Sequence, residues 1–290
     1  MALLAIVIAA SLWGVSGVVA KQLLVGADLA PTGLIVLRLG GTAACLGALL
    51  AAIDRRALEL PRRAWGMAAL GGVMMCLLQL FYYLTIRQTN VGTTVFLEYL
   101  APTLLVLWGW SRGTTRFERW SVLAVAAALA GSYLLVGSGG RLQLTPSALL
   151  TGLACALCLA AQTLCFEAIL VRGVSQLTAS TWVVTAATAT ALVVGDASAL
   201  WRTPLTTPNV LAVLYLVVGA MVIPLLLMLY ALRRLGAART GIASTLEPVV
   251  ASIAAALVLG EAMRPPEWAG GLLIVAAIVC MTRAPHAAPA

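Results

Sequence analysis

Apolar residues run through this chain in ten long stretches, separated by short polar segments. Each stretch is continuous rather than alternating, and each approaches the roughly 20 residues that an α-helix needs to cross a bilayer. The predicted spans are residues 2–20, 31–53, 64–86, 91–110, 119–137, 147–170, 177–195, 208–230, 239–259 and 267–282. Because a backbone in lipid must satisfy its own hydrogen bonds, the pattern predicts an all-α membrane protein with ten transmembrane helices.

The first five stretches align with the last five at a constant offset of 146 residues. At this offset Lys21 aligns with Glu167, and Pro102 aligns with Pro248. Many secondary transporters consist of two such repeats packed around a shared site. We therefore expect a single transmembrane domain over residues 1–290, with a first five-helix repeat at 1–140, a second at 141–283 and a short cytoplasmic tail at 284–290.

Basic residues are distributed unevenly between the two sets of loops. The loops after even-numbered spans, together with the tail, carry 12 of the 18 Lys and Arg residues. The positive-inside rule then places both termini in the cytoplasm, and the odd number of spans in each repeat makes the second repeat inverted. These loops account for the net charge of +8, so the charge gives no reason to expect a nucleic-acid partner.

Several kinds of chemistry lack the residues they require. The only lysine, Lys21, belongs to no phosphate-binding loop, and the only histidine, His286, lies in the tail. ATP hydrolysis, zinc proteolysis and a serine–histidine hydrolase are therefore excluded for this chain. All six cysteines fall within predicted spans, and Cys155-x-x-Cys158 has no second pair to complete a metal site. We expect a protein that is not an enzyme and that needs no cofactor or metal.

Two glutamates lie at membrane depth beside prolines. Glu98 precedes Pro102 in the fourth span, and Glu247 adjoins Pro248 in the ninth. A proline leaves the carbonyl four residues earlier without its helical donor, which frees the carbonyls of Glu98 and Ser244. Since charged groups at this depth usually face a partner or a pathway, both glutamates are predicted to bind substrate, and both prolines to break or gate their helices. Prolines that only kink the helices, with carboxylates bonded to neighbouring helices, are the alternative.

A second group of candidate substrate-binding residues carries aromatic rings or amides: Trp13, Gln79, Tyr82, Tyr83, Tyr99 and Gln162. Gln79, Tyr82 and Tyr83 share one face of the third span, because residues three and four apart are neighbours on a helix. A helix face of this kind suits an apolar or aromatic solute. Tyrosines also anchor helices at the headgroups, which is the alternative for Tyr82 and Tyr83.

Three further charged residues are candidates. Arg38 lies about two turns inside the second span, where its guanidinium can extend to the headgroups, bind a substrate carboxylate, or hold Glu98 until a proton or substrate displaces it. Lys21 and Glu167 are candidate gate residues, with ordinary helix-end charges as the alternative.

Some of these residues belong to a recognisable set of segments. The set consists of Leu12-Trp13-Gly14 with Lys21, Arg38, and Leu246–Glu261 followed by Trp268-Ala269-Gly270-Gly271. In this order it resembles the EamA-type ten-helix exporters of the drug/metabolite transporter superfamily. The resemblance implies an inverted five-plus-five fold around a central cavity, a bacterial inner-membrane location, and export of small metabolites such as amino acids. Gly260-Glu261 has no match in the first repeat, so strictly symmetric gating by these helix ends is in doubt.

The combined prediction is an alternating-access carrier that exports aromatic or large neutral amino acids, with spans 1, 3, 4, 6, 8 and 9 around its cavity. Its partners are a small-molecule substrate and the lipid bilayer. Proton coupling through Glu98 or Glu247 and passive exchange both fit the sequence. Efflux of cationic hydrophobic drugs, which would use the same glutamates, is the alternative. A non-transporting scaffold or receptor is a third interpretation, which the charges at membrane depth disfavour.

Overall fold

The computed structural model describes residues 1–21, 23–24, 29–53, 59–89, 91–113, 119–137, 145–195, 206–259 and 264–283. The predicted tail at 284–290, the Gly260-Glu261 helix end and the side chain of Lys21 lie outside this description. The described residues form helices joined by turns and short irregular segments, so the all-α prediction is confirmed.

The helices, numbered in chain order, are α1 (Ala2–Lys21), α2 (Pro31–Ile53), α3 (Arg62–Gln88), α4 (Val91–Glu98), α5 (Ala101–Ser111), α6 (Arg119–Gly137), α7 (Pro146–Val171), α8 (Gln176–Val194), α9 (Thr207–Leu214), a π-helix (Tyr215–Val222), α10 (Ile223–Ser244), α11 (Glu247–Leu259) and α12 (Pro265–Arg283). Five of the described helical stretches, 31–53, 62–85, 146–171, 176–194 and 207–237, are long and apolar enough to cross a membrane. Apolar stretches in α1, α6 and α12 are shorter.

Three of the ten predicted spans are interrupted rather than continuous. The fourth span consists of α4 and α5, and the eighth begins with α9 and passes through the π-helix into α10. Within α10 the chain turns at Gly236, where φ is 76° and ψ is 169°. This left-handed conformation strains residues with a side chain but suits glycine. The ninth span therefore starts after Gly236 and continues through the rest of α10 into α11.

Helix packing relates the two parts of the chain in a regular way. α3 packs against α7 and α8, and the segment from the π-helix into α10 packs against α1 and, through the π-helix, against α2. At the offset of 146 residues these are corresponding contacts. Two corresponding pairs, α2 with α8 and α6 with α12, also pack directly against each other.

Both of these pairs run antiparallel. In the first, Gly40 faces Thr188, and Val36, nearer the start of α2, contacts Gly195 just after the end of α8. In the second, Gly131 near the end of α6 lies against Gly270 near the start of α12. Ala124, nearer the start of α6, shares an apolar cluster with Ala277.

The closeness of α6 and α12 gives a first testable prediction. A Cβ added at Gly131 would lie 2.6 Å from the backbone oxygen of Gly270, so the helices must move apart in Gly131→Ala. Overpacking of this kind costs about 1–3 kcal/mol. We expect a lower midpoint of thermal unfolding in detergent micelles.

The matched control is Gly66→Ala on α3, where an added Cβ meets nothing within 4 Å. Both changes add the same methyl group and the same gain in helix propensity, about 1 kcal/mol. Gly66→Ala should therefore leave the midpoint of thermal unfolding unchanged or raise it. Equal shifts for the two variants would contradict the close packing of α6 on α12.

Candidate substrate-binding site

Breaks in the fourth and ninth spans form the framework of the site. α4 ends at Glu98 and α5 begins at Ala101, whereas α10 ends at Ser244 and α11 begins at Glu247. The intervening pairs, Tyr99-Leu100 and Thr245-Leu246, differ by the same 146 residues that relate the repeats. After each break, one residue precedes a proline, which is Pro102 in the fourth span and Pro248 in the ninth. Both breaks thus arise where a proline removes a helical donor.

Tyr99 joins the two breaks. Its hydroxyl lies 2.9 Å from the carbonyl oxygen of Ser244 and 2.8 Å from Oε2 of Glu247. The Ser244 carbonyl is the one that Pro248 leaves without a helical donor. The tyrosine therefore supplies the missing hydrogen bond from another span.

This arrangement has two states that differ by one proton. A phenol carries one proton to donate, whereas Tyr99 has two acceptors within reach. If Glu247 is ionised, it competes with the Ser244 carbonyl for that proton. If Glu247 is protonated, its carboxyl group can donate to Tyr99 while Tyr99 donates to the Ser244 carbonyl. Each of these three groups then has a hydrogen-bond partner. A proton on Glu247 therefore removes the competition for the Tyr99 hydroxyl and leaves it to donate to the freed carbonyl.

Arg38 makes a similar bond in the eighth span. Its Nη2 donates to the carbonyl oxygen of Ala220 at 3.2 Å. Ala220 lies near the end of the π-helix, shortly before Pro224, which has no backbone N–H to donate. The buried Nε of Arg38 has no hydrogen-bond partner among the described residues.

Arg38, Glu98 and Glu247 form one electrostatic cluster. Each carboxylate interacts with the guanidinium, and Glu98 also interacts with Glu247. Tyr82 interacts electrostatically with both carboxylates. These four residues come from spans two, three, four and nine, so the fold gathers them from across the sequence.

Tyr83, Gln79 and Gln162 are buried polar residues on α3 and α7. Tyr83 is only 2% exposed, and its ring meets that of Tyr82 edge-on with centroids 5.7 Å apart. The Tyr83 hydroxyl and the Oε1 atoms of Gln79 and Gln162 have no partner among the described residues. This burial favours an internal role for Tyr83 over an anchor at the headgroups. Buried polar atoms without partners are uncommon and frequently mark functional positions.

α1 places Trp13 between the eighth and ninth spans. The carbonyl of Leu12 accepts a hydrogen bond of 2.8 Å from the Tyr215 hydroxyl, and Gly14 packs against the backbone of Glu247. Trp13 itself is half-buried against the apolar core. Tyr215, which the sequence analysis missed, also interacts electrostatically with Arg38. The sequence signal that could have identified Tyr215 is its hydroxyl, which stands alone within a long apolar stretch.

Glu167 has a structural contact away from the cluster. Its Oε1 accepts a hydrogen bond of 3.0 Å from the backbone N–H of Ala237. Ala237 follows Gly236, so Glu167 caps the first turn of the helix that restarts there. A carboxylate suits this position because the start of a helix carries partial positive charge.

Comparison with known proteins agrees with this architecture. The EamA-like transporter family matches residues 1–137 and 146–283. The chain belongs to this family. It is therefore a multi-pass membrane transporter, and the family resemblance seen in the sequence is confirmed.

Two relatives align over nearly their whole length. The uncharacterized inner membrane transporter YicL of Salmonella typhimurium is 27% identical over 97% of this chain and 94% of its own. The uncharacterized transporter YwfM of Bacillus subtilis is 26% identical over 97% of this chain and 93% of its own. One crystal structure has a TM-score of 0.76 at 20% identity, covering 97% of this chain and 96% of that chain. That last likeness concerns the fold alone.

The bridge from Tyr99 gives a second prediction. Tyr99→Phe leaves the buried Ser244 carbonyl without its donor, which costs about 1–3 kcal/mol. We expect a lower unfolding midpoint in micelles. Tyr83→Phe is the matched control, because its buried hydroxyl has no partner in the described structure and its loss should be neutral or stabilising. If Tyr99→Phe is as stable as Tyr83→Phe, the bridge does not hold the breaks together.

The cap from Glu167 gives a third prediction. Glu167→Ala removes the acceptor for Ala237 and should lower stability by about 0.5–2 kcal/mol, the usual range for a lost helix cap. Glu167→Gln keeps a carbonyl oxygen at the same place and should lose less. Thermal unfolding of the two variants compares them directly, and equal losses would show that the charge, not the acceptor, matters.

Proposed function

We propose that this transporter exports aromatic or large neutral amino acids by alternating access, with the Arg38–Glu98–Glu247 cluster as its substrate site. The observation that carries the proposal is the cluster of one guanidinium and two carboxylates, with the two carboxylates at the breaks of the fourth and ninth spans. A zwitterion needs both signs of charge in its binding site. The surrounding tyrosines and Trp13 suit an apolar side chain.

Arg38 is suited to a carboxylate in particular. Its one hydrogen bond is to a neutral carbonyl, and its buried Nε is unpaired within the described structure. A carboxylate carries a full negative charge and can accept from two N–H groups of a guanidinium at once. A substrate carboxylate could therefore accept from the unpaired Nε and compete with the Ala220 carbonyl for Nη2.

Glu98 and Glu247 would hold the ammonium group. We further propose that Glu247 exchanges a proton during the cycle, because protonation of Glu247 lets Tyr99 donate to the Ser244 carbonyl without competition. The substrate ammonium and the proton would then bind to this carboxylate in turn. A passive exchanger remains the competing mechanism, and it would need no change at Glu247.

We also propose the inverted five-plus-five arrangement, with both termini cytoplasmic. The antiparallel packing of α2 on α8 and of α6 on α12 supports it, as do the matching helix breaks. Contacts also bring the ends of several basic loops together. Arg63 at the start of α3 donates to the carbonyl of Arg172 at 2.8 Å, and Glu167 near the end of α7 caps the ninth span. These contacts support the proposal that the basic loops share one face.

The second candidate function is efflux of cationic hydrophobic compounds. The excess of two carboxylates over one guanidinium in the cluster favours it. The same residues would then act differently, since Arg38 would have no group of the substrate to bind.

Paired substrates separate the two functions. Phenylalanine and phenethylamine share an aromatic ring and an ammonium group, and only phenylalanine carries a carboxylate. In proteoliposome counterflow we expect phenylalanine to be transported and Arg38→Gln to reduce its flux about 10- to 100-fold, from the loss of a charged hydrogen bond worth about 1.5–3 kcal/mol. Transport of phenethylamine but not of phenylalanine would favour the drug-efflux function. Flux of neither would overturn the amino-acid assignment.

The variant Glu247→Gln tests whether transport is coupled to protons, with Arg112→Gln as a control. Glu247→Gln cannot exchange a proton, so accumulation driven by a proton gradient should be lost. Counterflow should fall but persist, because Glu98 still offers a carboxylate to the ammonium group. Arg112, stacked on Trp108 with 4.5 Å from its guanidinium carbon to the ring centroid, lies outside the cluster. Its variant should behave as wild type. Gradient-driven accumulation in Glu247→Gln would exclude Glu247 as the proton site.

A further inference from the structure

A groove of about 510 Å³ lies away from the substrate cluster, between the start of α8 and the middle of α10. Its lining residues are Gln176, Tyr230, Arg233 and Arg234. Gln176 is the first residue of α8, and the other three occupy little more than one turn of α10. The two helices are in contact, so the groove is formed between parts of the fold rather than on a single helix.

The groove carries unbalanced positive charge. Arg233 and Arg234 are both exposed, and neither forms an ion pair with any carboxylate in the described part of the chain. Arg234 is held in place by Tyr230, with 3.8 Å between its guanidinium carbon and the ring centroid. Two adjacent guanidinium groups that face one groove repel each other, so the site favours an anionic ligand.

The position of the groove matches the level of lipid headgroups. α8 has 19 residues, which at 1.5 Å per residue cover about 28 Å, close to the thickness of the hydrocarbon core. Gln176 at its first position therefore lies at the membrane interface. Tyr230, with a ring beneath the guanidinium of Arg234, has the location typical of interfacial tyrosines.

We propose that this groove binds the phosphate of an anionic phospholipid headgroup. Arg233 and Arg234 contact the phosphate oxygens from α10, and the amide of Gln176 donates from α8. Arginine suits this role because its planar fork of N–H groups matches phosphate oxygens. Basic pockets between transmembrane helices bind anionic headgroups in this way. The proposal is independent of which substrate the cluster recognises.

Native mass spectrometry of the full chain, with lipid added to detergent micelles, tests this binding. We expect dioleoylphosphatidylglycerol to remain bound while dioleoylphosphatidylcholine, whose headgroup is zwitterionic, is lost. The double variant Arg233→Gln with Arg234→Gln should reduce the affinity for dioleoylphosphatidylglycerol tenfold or more. Replacing both arginines by lysine preserves the charge but removes the planar fork, so an intermediate loss is expected. This second variant keeps the test valid if the first one fails to fold.

Arg112→Gln is the matched control, because Arg112 also stacks on an aromatic ring at a helix end but does not line the groove. It should leave the affinity unchanged. An equal loss in this control would mean that general surface charge attracts the lipid, and the proposal would be wrong.

Inorganic phosphate distinguishes the two sources of the anion. If the lipid is the ligand, excess phosphate should leave the bound lipid largely in place, since the acyl chains also contribute. Displacement of the lipid by phosphate, or equal retention of both lipids, would overturn the assignment to an anionic phospholipid.

Discussion

Backbone carbonyls that lose their helical donor inside a membrane determine how this site is built. In hydrocarbon, no water replaces a missing hydrogen bond, so a side chain must supply it. Pro248 frees the carbonyl of Ser244, which Tyr99 satisfies, and Arg38 donates to the carbonyl of Ala220 shortly before Pro224. Each bond crosses between spans, from the second to the eighth and from the fourth to the ninth. The prolines thus explain both where the helices bend and why charged and hydroxyl groups gather beside the bends.

Such side-chain bonds are also easier to exchange than the hydrogen bonds of a regular helix. A helical N–H is fixed by its neighbours, whereas Arg38 and Tyr99 reach their carbonyls through rotatable side chains. A carboxylate that enters beside Arg38 offers a stronger acceptor than the neutral carbonyl. A proton on Glu247 changes which acceptor Tyr99 can satisfy. The same contacts that stabilise the helix breaks can therefore respond to a ligand or a proton.

The sequence predicted those features of the fold and the site that depend on local signals. Hydropathy located the spans, and Pro248 alone identified the Ser244 carbonyl as freed. The donor to that carbonyl depended on contact between residues 145 positions apart, which hydropathy does not encode. The bond from Arg38 to the Ala220 carbonyl likewise joins two distant spans, and no local pattern predicted it. Glu167 was expected as a gate residue, and its contact with Ala237 required the left-handed turn at Gly236, which no periodic pattern reveals.

The two parts of the chain have corresponding helix breaks but carry different side chains beside them. At the position that corresponds to Tyr99, Thr245 donates to Ile242 within its own turn and cannot reach across to another span. The counterpart of Arg38 is Val184, and that of Glu247 is Ala101. Because the guanidinium, Glu98 and Tyr99 all come from the first part and Glu247 from the second, a zwitterion would meet different groups on each side. In the proposed alternating-access cycle, the bound solute would therefore keep a single orientation while the related helix breaks open in turn towards the two faces of the membrane.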